Sequence, residues 1–168
     1  LHLFDLPPGY RGDFHADIKR LMSRRVHAAP VFQRKLAPMP LQFANPVWVD
    51  DDAVDLDHHV QRVTLPPPGT TTQFDDCIGR LHAELLDRSR PLWRLHVIDG
   101  LQSGQVGYYF KAHHAALDGQ AGILLARTIG PALALAVQSI LGAATPAYSL
   151  VVWHGFTAPF LMSVVALV

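Results

Sequence analysis

The sequence predicts an α/β (α+β) sandwich, a mixed sheet with flanking helices, and three observations lead there. Two segments carry apolar residues at helical spacing, several shorter ones alternate as strands do, and Gly- and Pro-rich turns separate them. The resulting order is helix, strand, helix, strand, strand, helix, which places helices against a sheet. With 168 residues, 49% of them hydrophobic, the chain is long enough for one domain with a real core.

The first helix starts at Asp13, which caps it, and Phe14, Ile18, Leu21, Met22 and Val26 form its apolar stripe before Pro30 limits its end. Lys19, Arg20, Arg24 and Arg25 line the opposite face, with Arg34 and Lys35 in the loop beyond. That face reads as solvated, with a phosphate- or membrane-contacting patch as the other reading. After a Pro-rich stretch, Val47-Trp48-Val49 is short enough to be only an edge strand. Asp50, Asp51, Asp52, Asp55 and Asp57 lack the Gly and Glu of a Ca²⁺ loop and read as a solvated turn. His58-His59 leads into a strand from Val60 to Leu65, which the rigid turn Pro66-Pro67-Pro68-Gly69 closes.

Thr70 to Thr72 offer caps for the second helix, which presents Phe74, Ile78, Leu81 and Leu85 on one face and ends before Pro91. Cys77 lies at the edge of that face as a packed residue. Trp93, Leu95 and Val97 alternate along one strand and Val106, Tyr108 and Phe110 along the next. Asp99-Gly100 and Ser103-Gly104 supply the turn chemistry between them.

Fourteen Lys+Arg balance fourteen Asp+Glu, which argues against a nucleic-acid binder. A single Cys removes intrachain disulfides and Cys-based zinc sites. Every one of those charges lies at or before Arg127, so the rest of the chain is an uncharged apolar tail. Leu1 to Leu6 is too short for the apolar region of a cleavable signal and contains Asp5.

The chemistry concentrates at His113-His114-Ala115-Ala116-Leu117-Asp118-Gly119, where the second hairpin strand ends and a helix-like run from Gln120 to Ile129 begins. Two His at the exit of an apolar strand put imidazole at the rim of a core, where burial lowers its pKa and favours the neutral base. Such a base accepts a proton at physiological pH. Asp118, just before a Gly that permits a tight turn, can bond neighbouring backbone or a cation, or hold the loop in shape. On spacing alone, packing or loop roles for all three remain open. No metal is expected, because adjacent strand side chains diverge and no third ligand is evident. There is no Gly-x-Ser-x-Gly elbow, and nothing marks Cys77 as an activated thiol.

His113 to Gly119 has the His-His-x-x-x-Asp-Gly pattern of the CoA-dependent acyltransferase superfamily. Asp55-Leu56-Asp57-His58-His59-Val60, Leu81-His82, Leu86-Asp87-Arg88-Ser89-Arg90-Pro91-Leu92-Trp93 and Ile98-Asp99-Gly100-Leu101 resemble, in order and spacing, the bacterial wax ester synthase/diacylglycerol acyltransferase family. The resemblance covers roughly residues 1 to 127. It implies half of a chloramphenicol-acetyltransferase-like two-domain fold, in a chain that lacks the family's first strand and its second half.

For function, the resemblance implies transfer of a fatty acyl group from acyl-CoA to a diacylglycerol or a long-chain alcohol. Acyl-CoA is then a co-substrate, and no bound cofactor is expected. His114 is the general base that deprotonates the acceptor hydroxyl, His113 a supporting residue and Asp118 the organiser of the loop. For His113, a strand residue facing the sheet is the other reading. Backbone amides near Gly119 and Gly122 are candidates for stabilising the thioester oxyanion. No basic residue is singled out for the CoA phosphates. The competing function is that of an inactive lipid- or membrane-binding fragment of such an enzyme.

These readings divide the chain into an incomplete acyltransferase domain, 1–130, and an apolar tail, 131–168. Pro131 to Ala144 reads as an Ala/Leu helix, and Ala147 to Val168 is long enough to span a bilayer. His154, Gly155 and Pro159 interrupt that stretch, which favours a core or interfacial segment. The expected location is cytoplasmic, with the inner face of the membrane or lipid droplets as surfaces the tail can meet.

Overall fold

Two parallel strands with a helix between them organise the fold of the computed structural model, which describes residues 1–37, 45–116, 150–151 and 164–165. In chain order the elements are β1 (His2–Phe4), α1 (Phe14–Arg25), β2 (Arg34–Ala37), β3 (Val47–Asp50), α2 (Leu56–His59), β4 (Val60–Thr64), α3 (Thr71–Ala83), β5 (Trp93–Asp99) and β6 (Val106–Ala112). Beyond them, β7 (Leu150–Val151) pairs antiparallel with β8 (Val164–Val165). The main sheet runs β1-β6-β5-β4, with β4 and β5 parallel and the other neighbours antiparallel, so it is mixed as the sequence predicts. The predicted helix from Gln120 and the proposed helix from Pro131 lie outside the described residues.

α1 forms where the sequence places it. The Asp13 carboxylate accepts from the Ala16 N–H, and Phe14, Ile18 and Met22 are buried at its i, i+4 spacing. That stripe packs on one sheet face with Val60, Trp93, Leu95, Val97, Val106 and Tyr108. α3 covers the other face, where Phe74, Cys77 and Leu81 meet Leu65, Ile98 and Tyr109. Its N-terminus carries a reciprocal capping box, with Thr70 accepting from the Gln73 N–H and Gln73 from the Thr70 N–H. Because helices lie on both sides of it, β5 is buried on both faces rather than alternating with solvent.

Three sequence expectations need correction. α3 ends at Ala83, well before Pro91, and Leu85 is 93% exposed instead of continuing the apolar face. The helix stops because the Lys111 ammonium, reaching across from β6, donates to the carbonyls of Leu81 (3.0 Å), His82 (2.9 Å) and Glu84. Arg34 and Lys35 lie on strand β2, not in a loop, since β3 supplies the antiparallel partner. The acidic run is a largely exposed turn, as the sequence predicts, and its carboxylates also pair with cations: Asp50 with Arg34, Asp51 with Lys35, Asp55 with Arg90 and Asp57 with Lys19. Finally, the residues before α1 form β1, stitched to the edge of β6 through His2↔Tyr108 and Phe4↔Val106.

The turn after β4 meets the turn after β5 at a close backbone approach. Gly69 has φ +71°, and a Cβ there would sit 1.9 Å from the Gly100 carbonyl oxygen. Gly69→Ala is therefore expected to destabilise the protein by about 2–4 kcal/mol. Gly104 has φ +77° with open space around it, so Gly104→Ala should cost only about 1–2 kcal/mol. Denaturant unfolding of the two variants checks this, and equal losses would contradict the proposed contact.

Candidate active site

The entrance of β5 is the structural centre of the site. Pro91 and Leu92 are buried and Trp93 is 0% exposed, so this corner of the chain is fixed in the core. β6 pairs with β5 up to Trp93↔Ala112, and the His113 N–H then donates to the Leu92 carbonyl at 2.9 Å. This bond carries the β5–β6 pairing one residue further, to the first His of the motif. His114–Ala116 then forms a 3₁₀ turn, closed by Ala116 N–H donating to the His113 carbonyl at 3.0 Å, and Ala116 packs back on the α1-side core.

His113 is exposed, which differs from the burial at the core rim that the sequence suggests. The reason is local. Its Nδ1 accepts from the Ala115 N–H at 3.1 Å, so the ring serves the turn that carries it, and it does not face the sheet. The structure thus puts the backbone of the dyad at the exit of β6, as expected. The side chain of His114, and Asp118, Gly119 and Gly122 entirely, lie outside the described part.

Among the described residues, two other histidines are buried. His59 ends α2, is 1% exposed and stacks on the Trp93 indole with centroids 4.3 Å apart and planes at 14°. Its Nδ1 donates to the Trp93 carbonyl at 2.8 Å, while its Nε2 is buried without a hydrogen-bond partner. His96, on β5, stacks on Tyr109 and is equally buried. Sequence reasoning passes over His59 as the lead-in to a strand. Its position between Leu56 and Val60, both on the α1 side, was the available signal.

Desolvation pushes both rings down to about 4; at His59 the hydrogen bond to Trp93 partly opposes it, and nearby guanidinium and ammonium groups add to it, Arg90 and Arg94 around His59 and Arg94 and Lys111 around His96. His58 is also lowered, by burial first and then by Arg94, whose guanidinium donates to His58 Nε2 at 3.0 Å. An unfolded chain binds a proton on each His below about pH 6.5, whereas folded His59 and His96 stay neutral down to about 4. Stability should therefore fall as pH drops through that window, by about 3 kcal/mol per ring. The carboxylates of Asp13, Asp55 and Asp87 are held below the ordinary range, so their losses come at lower pH. Denaturant unfolding from pH 7.5 to 4.5 checks this, and a flat profile would contradict it.

Among the described residues, no three His, Cys, Asp or Glu side chains converge on a metal-sized site, and no helix is long and apolar enough to cross a membrane. The backbone of His113 and His114 instead sits on a short turn anchored to the buried entrance of β5.

Comparison with known proteins bears on what such a turn does. Residues 1–132 match the family model of the wax ester synthase/diacylglycerol acyltransferase catalytic domain. A probable diacylglycerol O-acyltransferase of Mycobacterium tuberculosis is 38% identical over 127 residues, 76% of this chain and 28% of that protein. A putative diacylglycerol O-acyltransferase of the same species is 43% identical over 119 residues, 70% of this chain and 23% of that protein. The solved wax ester synthase/diacylglycerol acyltransferase of Marinobacter aquaeolei superposes with a TM-score of 0.62 at 31% identity, covering 76% of this chain and 30% of that one. The chain thus spans roughly a quarter of the length of the curated relatives it matches.

Proposed function

The chain belongs to the wax ester synthase/diacylglycerol acyltransferase family, and from that membership we propose that it carries the base-bearing part of an O-acyltransferase. The reaction moves a fatty acyl group from acyl-CoA to the hydroxyl of a diacylglycerol or a long-chain alcohol. The observation that carries this reading is the family match over residues 1–132, which contains the whole His113–Gly119 motif.

In this reading His114 takes the proton from the acceptor hydroxyl, and the oxygen attacks the thioester carbonyl directly. The resulting tetrahedral oxyanion re-forms its carbonyl as the C–S bond breaks, giving the new ester and the CoA thiolate, which takes the proton from the imidazolium. His113 supports the turn that carries His114, consistent with its bond to the Ala115 N–H. Asp118 organises the loop beyond. Acyl-CoA enters as co-substrate, and a second acyltransferase half completes the two-domain fold.

A second reading rests on the uncharged, largely apolar sequence that follows Arg127. It holds that the chain binds lipid or membrane through the uncharged segment after Arg127, without catalysis, at the cytoplasmic face of the membrane or on lipid droplets. Incubating the chain with acyl-CoA, diacylglycerol and vesicles separates the two. Thiol release that depends on His114 supports the enzyme; vesicle binding without thiol release, unchanged in His114→Ala, supports the fragment.

A further inference from the structure

We propose that His59 is a positioning residue for the histidine dyad, acting through the entrance of β5; the inference deepens the acyltransfer reading and rests on it for its catalytic consequence. The parallel β4–β5 ladder has its first rung at Val60↔Leu95, two residues short of Trp93. The His59 side chain supplies the missing contact, donating from Nδ1 to the Trp93 carbonyl at 2.8 Å. On the other side of the same strand, the adjacent Leu92 carbonyl accepts the His113 N–H at 2.9 Å. Successive carbonyls at the entrance of β5 point in opposite directions, so residues 92 and 93 are held by one histidine at the end of α2, just before β4, and hold the other just beyond the end of β6.

Packing alone does not account for a histidine at this place. Its Nε2 is buried with no hydrogen-bond partner, a cost that a phenyl ring of similar shape would avoid while keeping the stack on Trp93. What only the imidazole adds is the Nδ1–H. A carbonyl can only accept, so this tautomer is required, and burial keeps the ring neutral in it. Trp93 is locked further by its Nε1–H, which donates to the Phe32 carbonyl at 3.2 Å. The His59 bond therefore joins a rigid corner, and a shift there passes directly to the amide that starts the 113–116 turn.

Two variants of the chain separate the bond from the stack. His59→Phe keeps an aromatic face on Trp93 and loses the donor, whereas His59→Asn keeps a donor at the Nδ1 position and loses the stack. Amide hydrogen exchange is read at His113 against His96 and Tyr109, an opposed pair of the same hydrogen-bonding type in the middle of the β5–β6 ladder. The expected result is that protection of the His113 amide falls by about tenfold or more in His59→Phe, relative to those reference amides, and is retained in His59→Asn. Equal changes at all three amides, or unchanged His113 protection in His59→Phe, would overturn the proposal and leave His59 as a core residue. Where acyl transfer is measured, His59→Phe should lower kcat with KM for acyl-CoA unchanged, and His59→Asn should restore it. The exchange readout does not depend on catalysis, so a chain without transferase activity would overturn the function while leaving this coupling decided by the amides.

Discussion

Replacing His114 with Ala is expected to cut acyl transfer by about 10²–10⁴-fold, the range that a positioned general base contributes. An alcohol hydroxyl is a weak nucleophile while it keeps its proton, and removal of that proton during attack is the service an imidazole performs. The fold does its part upstream. The strand that delivers the motif is paired with buried β5 to its last residue, and the His113 N–H extends that pairing to the dyad. Such anchoring limits the conformations of the 113–116 backbone before any substrate arrives. His113→Ala should be milder, because the ring is exposed and its bond is to the turn's own Ala115 N–H. A rate of ester formation in His114→Ala within tenfold of the parent would remove the base from that residue.

Trp93→Ala should be the most damaging change to stability, at about 3–5 kcal/mol. The indole is fully buried, stacks on His59, meets the Phe32 ring edge-on at 5.1 Å and donates to the Phe32 carbonyl. Truncation empties the largest slot in the core and strands that carbonyl in the same step. Trp93→Phe should cost less, because it refills most of the volume and leaves only the Phe32 carbonyl without its donor. Urea unfolding measures both. A loss below about 1 kcal/mol for Trp93→Ala would mean that the corner is not the rigid anchor described above.

How much of this was legible in the sequence follows from whether each signal is local. α1 was readable because its cap, Asp13, and its stripe of Phe14, Ile18 and Met22 lie within one segment. The β5–β6 hairpin was readable for the same reason, through alternation and the glycines at 100 and 104, both with positive φ. The end of α3 was not, since its carbonyls are taken by Lys111 from another strand, a cap that no pattern near Ala83 announces. β1 escaped notice because a three-residue edge strand is defined by its partner rather than by its own composition. The acidic run is solvated as its composition suggests, but the cations that pair with four of its members, up to 38 residues away along the chain, were not legible.

The site divides along the same line. The motif at 113–119 was legible as residues, and its place at the exit of a strand was legible too. The exposure of His113 was not, because a hydrogen bond to a backbone amide two residues on outweighs the pull of the core rim. The burial of His59 was hidden as well. His58 and His59 look alike in sequence, yet one contacts the Arg94 guanidinium and the other stacks under Trp93.

The measurement that tests the central claim most directly is thiol release and ester formation by the chain joined to the part of the Marinobacter enzyme that it does not cover. With acyl-CoA and a diacylglycerol or long-chain alcohol, the fusion should release thiol and form ester in step, and the same fusion carrying His114→Ala should lose both together. Ester formation that persists in the His114→Ala fusion, or thiol release unaccompanied by ester, would contradict the assignment of this chain as the base-bearing part of an O-acyltransferase.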